Sequence, residues 1–428
     1  MNRAGQLAQP VFFPRRFACG NWVFAELQAG VETIHGVALD TASDALYCTC
    51  PFFPKPCWHA LALSALYAQQ GTAAFEPAGE LPGWLQQRSS GQPFPLHRSG
   101  LASDQRETQR IRRHDERLDR AGHGFDDLET WLLDTLRRGV ATAVSEDPAF
   151  FKSIASRLAD ASMRGLSRNF RLLESLPADA PGWPEQTLAV LAEAALALRA
   201  FRARQRLPEA LLSDLEAFIG IAMKKDTVLE QGERLRDTWA VAGAFEETVE
   251  EQLRQRRTWL LGARSGRYAL LLDYAFGEAG LVPGFAPGAI LDGELAFYPS
   301  AWPLRALAPE TLAVLPEKAE KLPGFDSVAS LAHAFATALG AQPWLAQFPA
   351  ALNAVLPYAH NGSFGLADTA GQQLPLANGE TAGWPLVALA GGRPLTVFGE
   401  WNGSVFLALS ALAEGRMAVF PDTPPAVP

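Results

Sequence analysis

Hydrophobic positions divide the chain into stretches of different period. Over residues 22–27 and 34–39, apolar and polar residues alternate, and Gly30 and residues 40–44 supply turn material, which predicts a small antiparallel sheet. Residues 60–67 form an apolar Ala/Leu run that predicts a helix. From about residue 125 the period lengthens to 3.6. Asp126 with Glu129 has the form of a capping box, and Leu128, Trp131, Leu132, Leu136 and Val140 follow at helical spacing. Asp147-Pro148, Pro184 and Pro208 mark three further helix starts, and a last helix is predicted around Trp239, Phe245, Val249 and Leu253. No fixed repeat joins these helices, so they read as a bundle or an irregular solenoid.

At Trp259 the period falls to 2. Strands are predicted at 259–261, 268–276 and 291–298, with Ala263-Arg-Ser-Gly266 as a hairpin turn. A helix over 327–339, closed by Gly340, interrupts, and strands resume at 384–390, 395–398 and 405–409. Asn402-Gly403 between the last two is a strong hairpin signal. The fold class is therefore α+β and multidomain, with a small ββα-type finger over 1–75, a charged linker over 76–124 and a helical domain over 125–258. A mainly antiparallel β domain with one or two helices occupies 259–428.

Charge and composition narrow the function. A net charge of −9 means that any nucleic-acid contact must come from a local basic surface. The N-terminus lacks the continuous apolar stretch of a signal peptide, and no run is apolar for long enough to form a membrane helix, so the expectation is a cytoplasmic protein. Two basic clusters stand out. Arg106, Arg110, Arg113, Arg117 and Arg120 recur every three or four residues and would share one helix face, but Glu107, Asp115, Glu116 and Asp119 between them favour a solvated linker helix. Arg254, Arg256, Arg257 and Arg264 surround the hairpin, where guarding a sheet edge is the ordinary explanation.

Four cysteines occur, three of them in one stretch, Cys48-Thr-Cys50-Pro-Phe52-Phe53-Pro-Lys55-Pro-Cys57-Trp58-His59. Three thiols and an imidazole make the Cys3His set used by tetrahedral structural zinc. Cys48 and Cys50 are two apart on a predicted strand and so point to one side. Three prolines stiffen the loop between Cys50 and Cys57, and Cys57 and His59 open the helix. All four positions are protein ligands, which suits a structural ion and leaves no open position for catalysis. Cys19 stands apart as an inert thiol, and His35 is read as structural because the tetrahedral set is already complete.

The pattern CxC, a short gap and CxH running into an Ala/Leu helix resembles the SWIM zinc finger. The phrases DDLETWLLDTLRRGVAT, RTWLLGARSGRYALLLDYAF, LAFYPSAWPLRAL and GGRPLTVFGEWNG resemble the body of stand-alone bacterial SWIM zinc finger proteins. The resemblance implies one structural Zn2+ on Cys48, Cys50, Cys57 and His59, and binding of DNA or protein through the finger. It also implies an association with AAA+ ATPase or von Willebrand factor A proteins. One departure is Trp58, which stands where many bacterial members carry a basic residue.

Phosphate loop, HExxH, GxSxG and placed GxGxxG signatures are absent, and no nucleophile and base pair can be located, so no enzymatic activity is expected. Asp273 and Glu294 are taken as solvent-facing, and His333 and His360 as structural. Two readings stay open. In one, Phe52, Phe53 and Trp58 form an apolar patch for a protein partner. In the other, Lys55 with Arg106, Arg110, Arg113 and Arg117 contacts nucleic acid. Lys55 is the only basic residue of the knuckle against three aromatics, which favours protein.

Overall fold

A computed structural model describes residues 13–28, 34–49, 57–82, 85–86, 103–147, 149–180, 182–221, 223–250, 253–277 and 280–420. The side chains of 103–107, 109, 110 and 250 lie outside that description. The chain divides into two compact units, Met1–Arg112 and Arg113–Pro428.

In the first unit, β1 (Arg15–Cys19), β2 (Trp22–Gln28), β3 (Ile34–Asp40) and β4 (Ala45–Cys48) form an antiparallel sheet in the order β4-β3-β2-β1, and helix α1 (Trp58–Gln70) follows. A short β5 (Glu76–Pro77) adds parallel to β1. Period-2 alternation gives each face its own core. Val23, Ala25 and Leu27 of β2 and Val37 and Leu39 of β3 pack on Ala60, Leu63 and Leu66 of α1, whereas Phe24 and Ala38 point to the opposite face, against Leu85. The ββα expectation describes β3, β4 and α1; β2, β1 and β5 extend it.

The helices come next along the chain. α2 (Ser103–Arg138) runs without interruption through the position predicted to be a boundary. Asp126 and Glu129 therefore lie inside a helix and do not cap one; both accept from Arg202 Nη2, at 2.5 and 3.0 Å. The pattern looked like a start because a carboxylate three residues from another serves equally well as a paired face. α3 (Val140–Glu146), α4 (Phe150–Asp160), α5 (Arg164–Ser175), α6 (Trp183–Arg202) and α7 (Glu209–Ile219) complete the bundle, followed by short α8 (Lys225–Gln231). Pro184 sits in the first turn of α6 and Pro208 at the N-cap of α7, as expected. The bundle core includes Phe125, Leu128, Ile154, Phe170, Leu198, Phe201 and Leu215.

The segment carrying Trp239, Phe245, Val249 and Leu253 is not a helix. It forms β6 (Glu233–Glu250) and the start of β7 (Leu253–Gly262), so the β region begins near residue 233 and not at 259. Trp239, Ala240, Val241 and Ala242 are all buried, because this part of β6 is covered on both faces and loses its alternation. β8 (Tyr268–Phe276), β9 (Ala289–Phe297), β10 (Ala306–Leu307) and β11 (Ala313–Lys318) complete a first sheet of order β10-β9-β6-β7-β8, with β11 paired to β9. Helix α9 (Val328–Ala341) starts at Ser327, which accepts from the Ser330 amide at 3.1 Å. It leads to β12 (Phe348–His360), β13 (Ser363–Ala367) and β14 (Gln373–Pro375).

Residues 384–390, expected as a strand, form helix α10 (Trp384–Ala390). Pro385 in its first turn and left-handed Gly391 just past its end are the helix signals that outweigh a short apolar run. β15 (Leu395–Trp401), β16 (Phe406–Ala413) and β17 (Arg416–Val419) close the second sheet, of order β14-β13-β12-β15-β16-β17. Every strand pairing in the two sheets is antiparallel, and the Asn402-Gly403 turn joins β15 to β16, with Gly403 at φ +98°.

The two sheets face each other. Ala240, Ala242, Phe245, Trp259 and Leu261 of the first meet Ala351, Phe398, Leu407 and Leu409 of the second. At Gly243 a Cβ would come within 2.8 Å of the Phe398 ring, so the close approach needs glycine. The other face of the second sheet is covered by Leu331 and Phe335 of α9 and Leu386 of α10.

Candidate metal centre

Cys48 is the last residue of β4, paired with Val37 of β3. The ladder continues one step beyond it: the Thr49 amide donates to Gly36 O at 2.9 Å, and the Gly36 amide donates to Thr49 Oγ1 at 2.9 Å. The strand end is thus fixed where the first ligand leaves it. Cys57 occupies the N-cap of α1 in extended conformation, 4% exposed, and its carbonyl already accepts from the Leu61 amide. His59 lies in the first turn, so the packing of α1 on the sheet carries both ligands towards Cys48.

The three side chains converge. Cys48 Sγ lies 3.9 Å from His59 Nδ1, and the ligand atoms of Cys48, Cys57 and His59 all lie within 4.8 Å of one another. A tetrahedral ion bonded at about 2.3 Å to sulfur and about 2.1 Å to nitrogen holds its donors roughly 3.5–4 Å apart. Two soft sulfurs and a ring nitrogen at these separations fit zinc, which would act as a cross-link between β4 and α1. Cys50, the fourth expected ligand, lies outside the described residues, as do Phe52, Phe53 and Lys55. His35 of β3 is not part of this group; its ring stacks on that of His59, with centroids 5.6 Å apart and planes at 25°. Such packing restricts the orientation of a ligating imidazole. The sequence gives His35 a structural role without a neighbour; the helix α1 supplies one in His59. Cys19 lies half-buried on β1, outside the group.

Trp58 is the first residue of α1 and 47% exposed, beside two ligands. Over the described residues 13–82 the charged side chains are Arg15 and Arg16 against Glu26, Asp40, Asp44, Glu76 and Glu80, an acidic balance. The expected arginine stripe is only partly visible. Arg113 and Arg117 are exposed on α2, Arg120 donates to Ser162 Oγ at 3.1 Å, and the side chains of Arg106 and Arg110 lie outside the described residues.

The second basic cluster is split: Arg254 and Arg264 are exposed, whereas its other two arginines are buried. Arg256 and Arg257 are 7% and 6% exposed. Arg256 donates to Asp273 at 2.8 Å, to Glu246 at 3.3 Å and to the Val282 carbonyl at 2.7 Å. Arg257 forks onto both oxygens of Glu400, at 2.8 and 3.0 Å, and also pairs with Glu247. Glu294 accepts from Arg234 at 2.6 Å, so Asp273 and Glu294 both have cationic partners and are not simply solvent-facing. His333 and His360 are exposed, and His360 Nε2 lies 3.1 Å from Asn361 Nδ2.

Two family models match the chain: the SWIM zinc finger over residues 37–67, and the SWIM-associated four-helix bundle domain over residues 116–219. The first spans the second half of β3, all of β4 and most of α1, including every described ligand; the second spans most of the bundle. No curated protein and no solved structure matches the chain. The finger match and the converging donors together assign the cluster to a structural zinc ion.

Proposed function

We propose, for a chain that belongs to the SWIM zinc finger family, that the zinc-held finger is a docking platform for another protein. The observation that carries this reading is Trp58. It is a large aromatic side chain, exposed on the helix that bears His59, in a unit whose described surface is acidic. Exposed tryptophan on a rigid element suits the centre of a protein interface, whereas a phosphate backbone requires basic residues there. The aromatic residues of the knuckle, Phe52 and Phe53 with Trp58, extend the same logic in sequence. The ion holds β4 and α1 in register, so the platform is presented without an ordering cost at each encounter. In this reading the protein is an adaptor and not an enzyme, working in the cytoplasm, with AAA+ ATPase or von Willebrand factor A proteins as the partner classes its family resemblance suggests.

The test is affinity capture from cells with the full chain, with and without nuclease, beside Trp58→Lys. Protein partners that survive nuclease and fall at least about fivefold with the variant, at unchanged zinc content, are the expected result. Capture abolished by nuclease, or restored by the added lysine, would instead assign nucleic acid as the ligand. Steep loss of binding with salt would accompany that outcome.

A further inference from the structure

A cavity of about 340 Å³ opens in the second unit where α7 meets the loop after β9 and the segment 342–347. Its size is at the low end of the range that small-molecule sites occupy. Trp259, Tyr298, Trp302 and Trp344 contribute aromatic wall, and two charges of opposite sign share the lining, Asp214 and Arg305.

Among the described residues neither charge has an ionic partner. Asp214 is 4% exposed. It accepts from the Ala301 amide at 2.8 Å and from Gln342 Nε2 at 3.1 Å, both neutral donors. Burial pushes its carboxyl above the usual range, against the pull of hydrogen bonds from Ser300, Ala301 and Gln342. Among the described residues no cation pairs with it. The Arg305 guanidinium lies over the Tyr298 ring, 4.3 Å from the centroid, and among the described residues no carboxylate pairs with it. The two are carried by different elements, and they do not pair with each other. A buried acid without a counter-ion is costly, and an arginine fork held over an aromatic face keeps donors free for a carboxylate. The wall also holds two buried polar atoms without a protein partner, Gln342 Oε1 and Trp344 Nε1, which apolar contents would leave unexplained.

We propose that this cavity binds a small zwitterion of the aromatic amino-acid class, its ammonium on Asp214, its carboxylate on Arg305 and its ring among the tryptophans. One ligand then satisfies both charges at once, which a purely cationic or purely anionic compound cannot do. The cavity lies outside the finger, so this site is independent of the docking role.

Calorimetry on the zinc-loaded full chain with three probes decides the matter: L-phenylalanine, phenethylamine, which lacks the carboxylate, and 3-phenylpropionate, which lacks the ammonium. L-Phenylalanine is expected to bind at least about tenfold more tightly than either single-charge probe, the loss of one charge-assisted hydrogen bond. Asp214→Asn should weaken L-phenylalanine and spare 3-phenylpropionate, and Arg305→Gln should weaken it and spare phenethylamine. Three probes binding alike, or none binding at concentrations on the order of 10 mM, overturns the proposal. Asp214 also holds the Ala301 amide, so if Asp214→Asn fails to fold, Arg305→Gln with the three probes decides alone.

Discussion

At the mouth of the β7–β8 hairpin, Asp237 is 1% exposed and accepts from the amides of Thr238 at 2.7 Å and Ser265 at 2.9 Å, and from the Arg264 amide at 3.2 Å and side chain at 3.3 Å. Burial alone would raise its pKa. The Ser265 hydroxyl and the three amides overcome burial and hold the carboxyl at about 2. Because the folded value is depressed from 3.8, the ionised carboxylate contributes stability that is fully present above pH 4 and disappears as pH falls through 2. The shift corresponds to about 2 kcal/mol. Asp237→Ala should therefore lower unfolding free energy by about 2 kcal/mol at pH 7, read by denaturant titration, and the gap to the wild-type chain should narrow between pH 4 and 2. A gap independent of pH would show that the lost contribution is packing and not charge. Nothing near Asp237 in sequence announces this role, since all its donors but the Thr238 amide arrive from residues 264 and 265 by strand pairing. Cys48, Cys57 and His59 could be read off directly because the metal rule operates within a dozen residues.

Elements were legible where a local signal decides and opaque where a distant partner does. Pro184 and Pro208 set helix starts, and Asn402-Gly403 set a hairpin, through backbone preferences that act within a few residues. β6 misled because burial on both faces erased its alternation, and α10 because seven apolar residues fit either period. The arginines around 254–257 misled most. They read as guards of a sheet edge, yet β7 lies between β6 and β8, and its Arg257 meets Glu400 of β15, 143 residues away, with Trp259 Nε1 donating to the same carboxylate at 2.7 Å. This pair staples the two facing sheets. Removing one partner of a buried ion pair leaves the other uncompensated, which costs about 3–5 kcal/mol. Glu400→Ala is expected to destabilise the second unit by that order in chemical denaturation. A loss below about 1 kcal/mol would mean that Glu247 alone satisfies Arg257.

Over the whole chain the two units draw on different sources of stability. The second unit has two facing sheets, a helical layer on one of them and a separate bundle core, enough apolar burial to stand without a metal. Among the described residues of the first, a five-stranded sheet packs on α1, and its core of Val23, Leu27, Val37, Leu39, Leu63 and Leu66 includes the ligand Cys57 itself. A core of that size is marginal, and the binding energy of structural zinc, about 10–16 kcal/mol in small zinc domains, then counts directly as folding energy. Chelation of the metal should consequently act on one unit only. In hydrogen exchange, protection over β2, β3 and α1 should collapse on zinc removal, while β7, β12 and β15 stay protected. Cys57→Ala should reproduce the pattern, with zinc content falling from about one ion per chain towards none. Protection lost equally in both units would mean that the second unit depends on the first for its fold. Protection unchanged in α1 would mean that the sheet and helix hold Cys57 and His59 in place by packing alone, with the ion adding affinity for a partner but no structure.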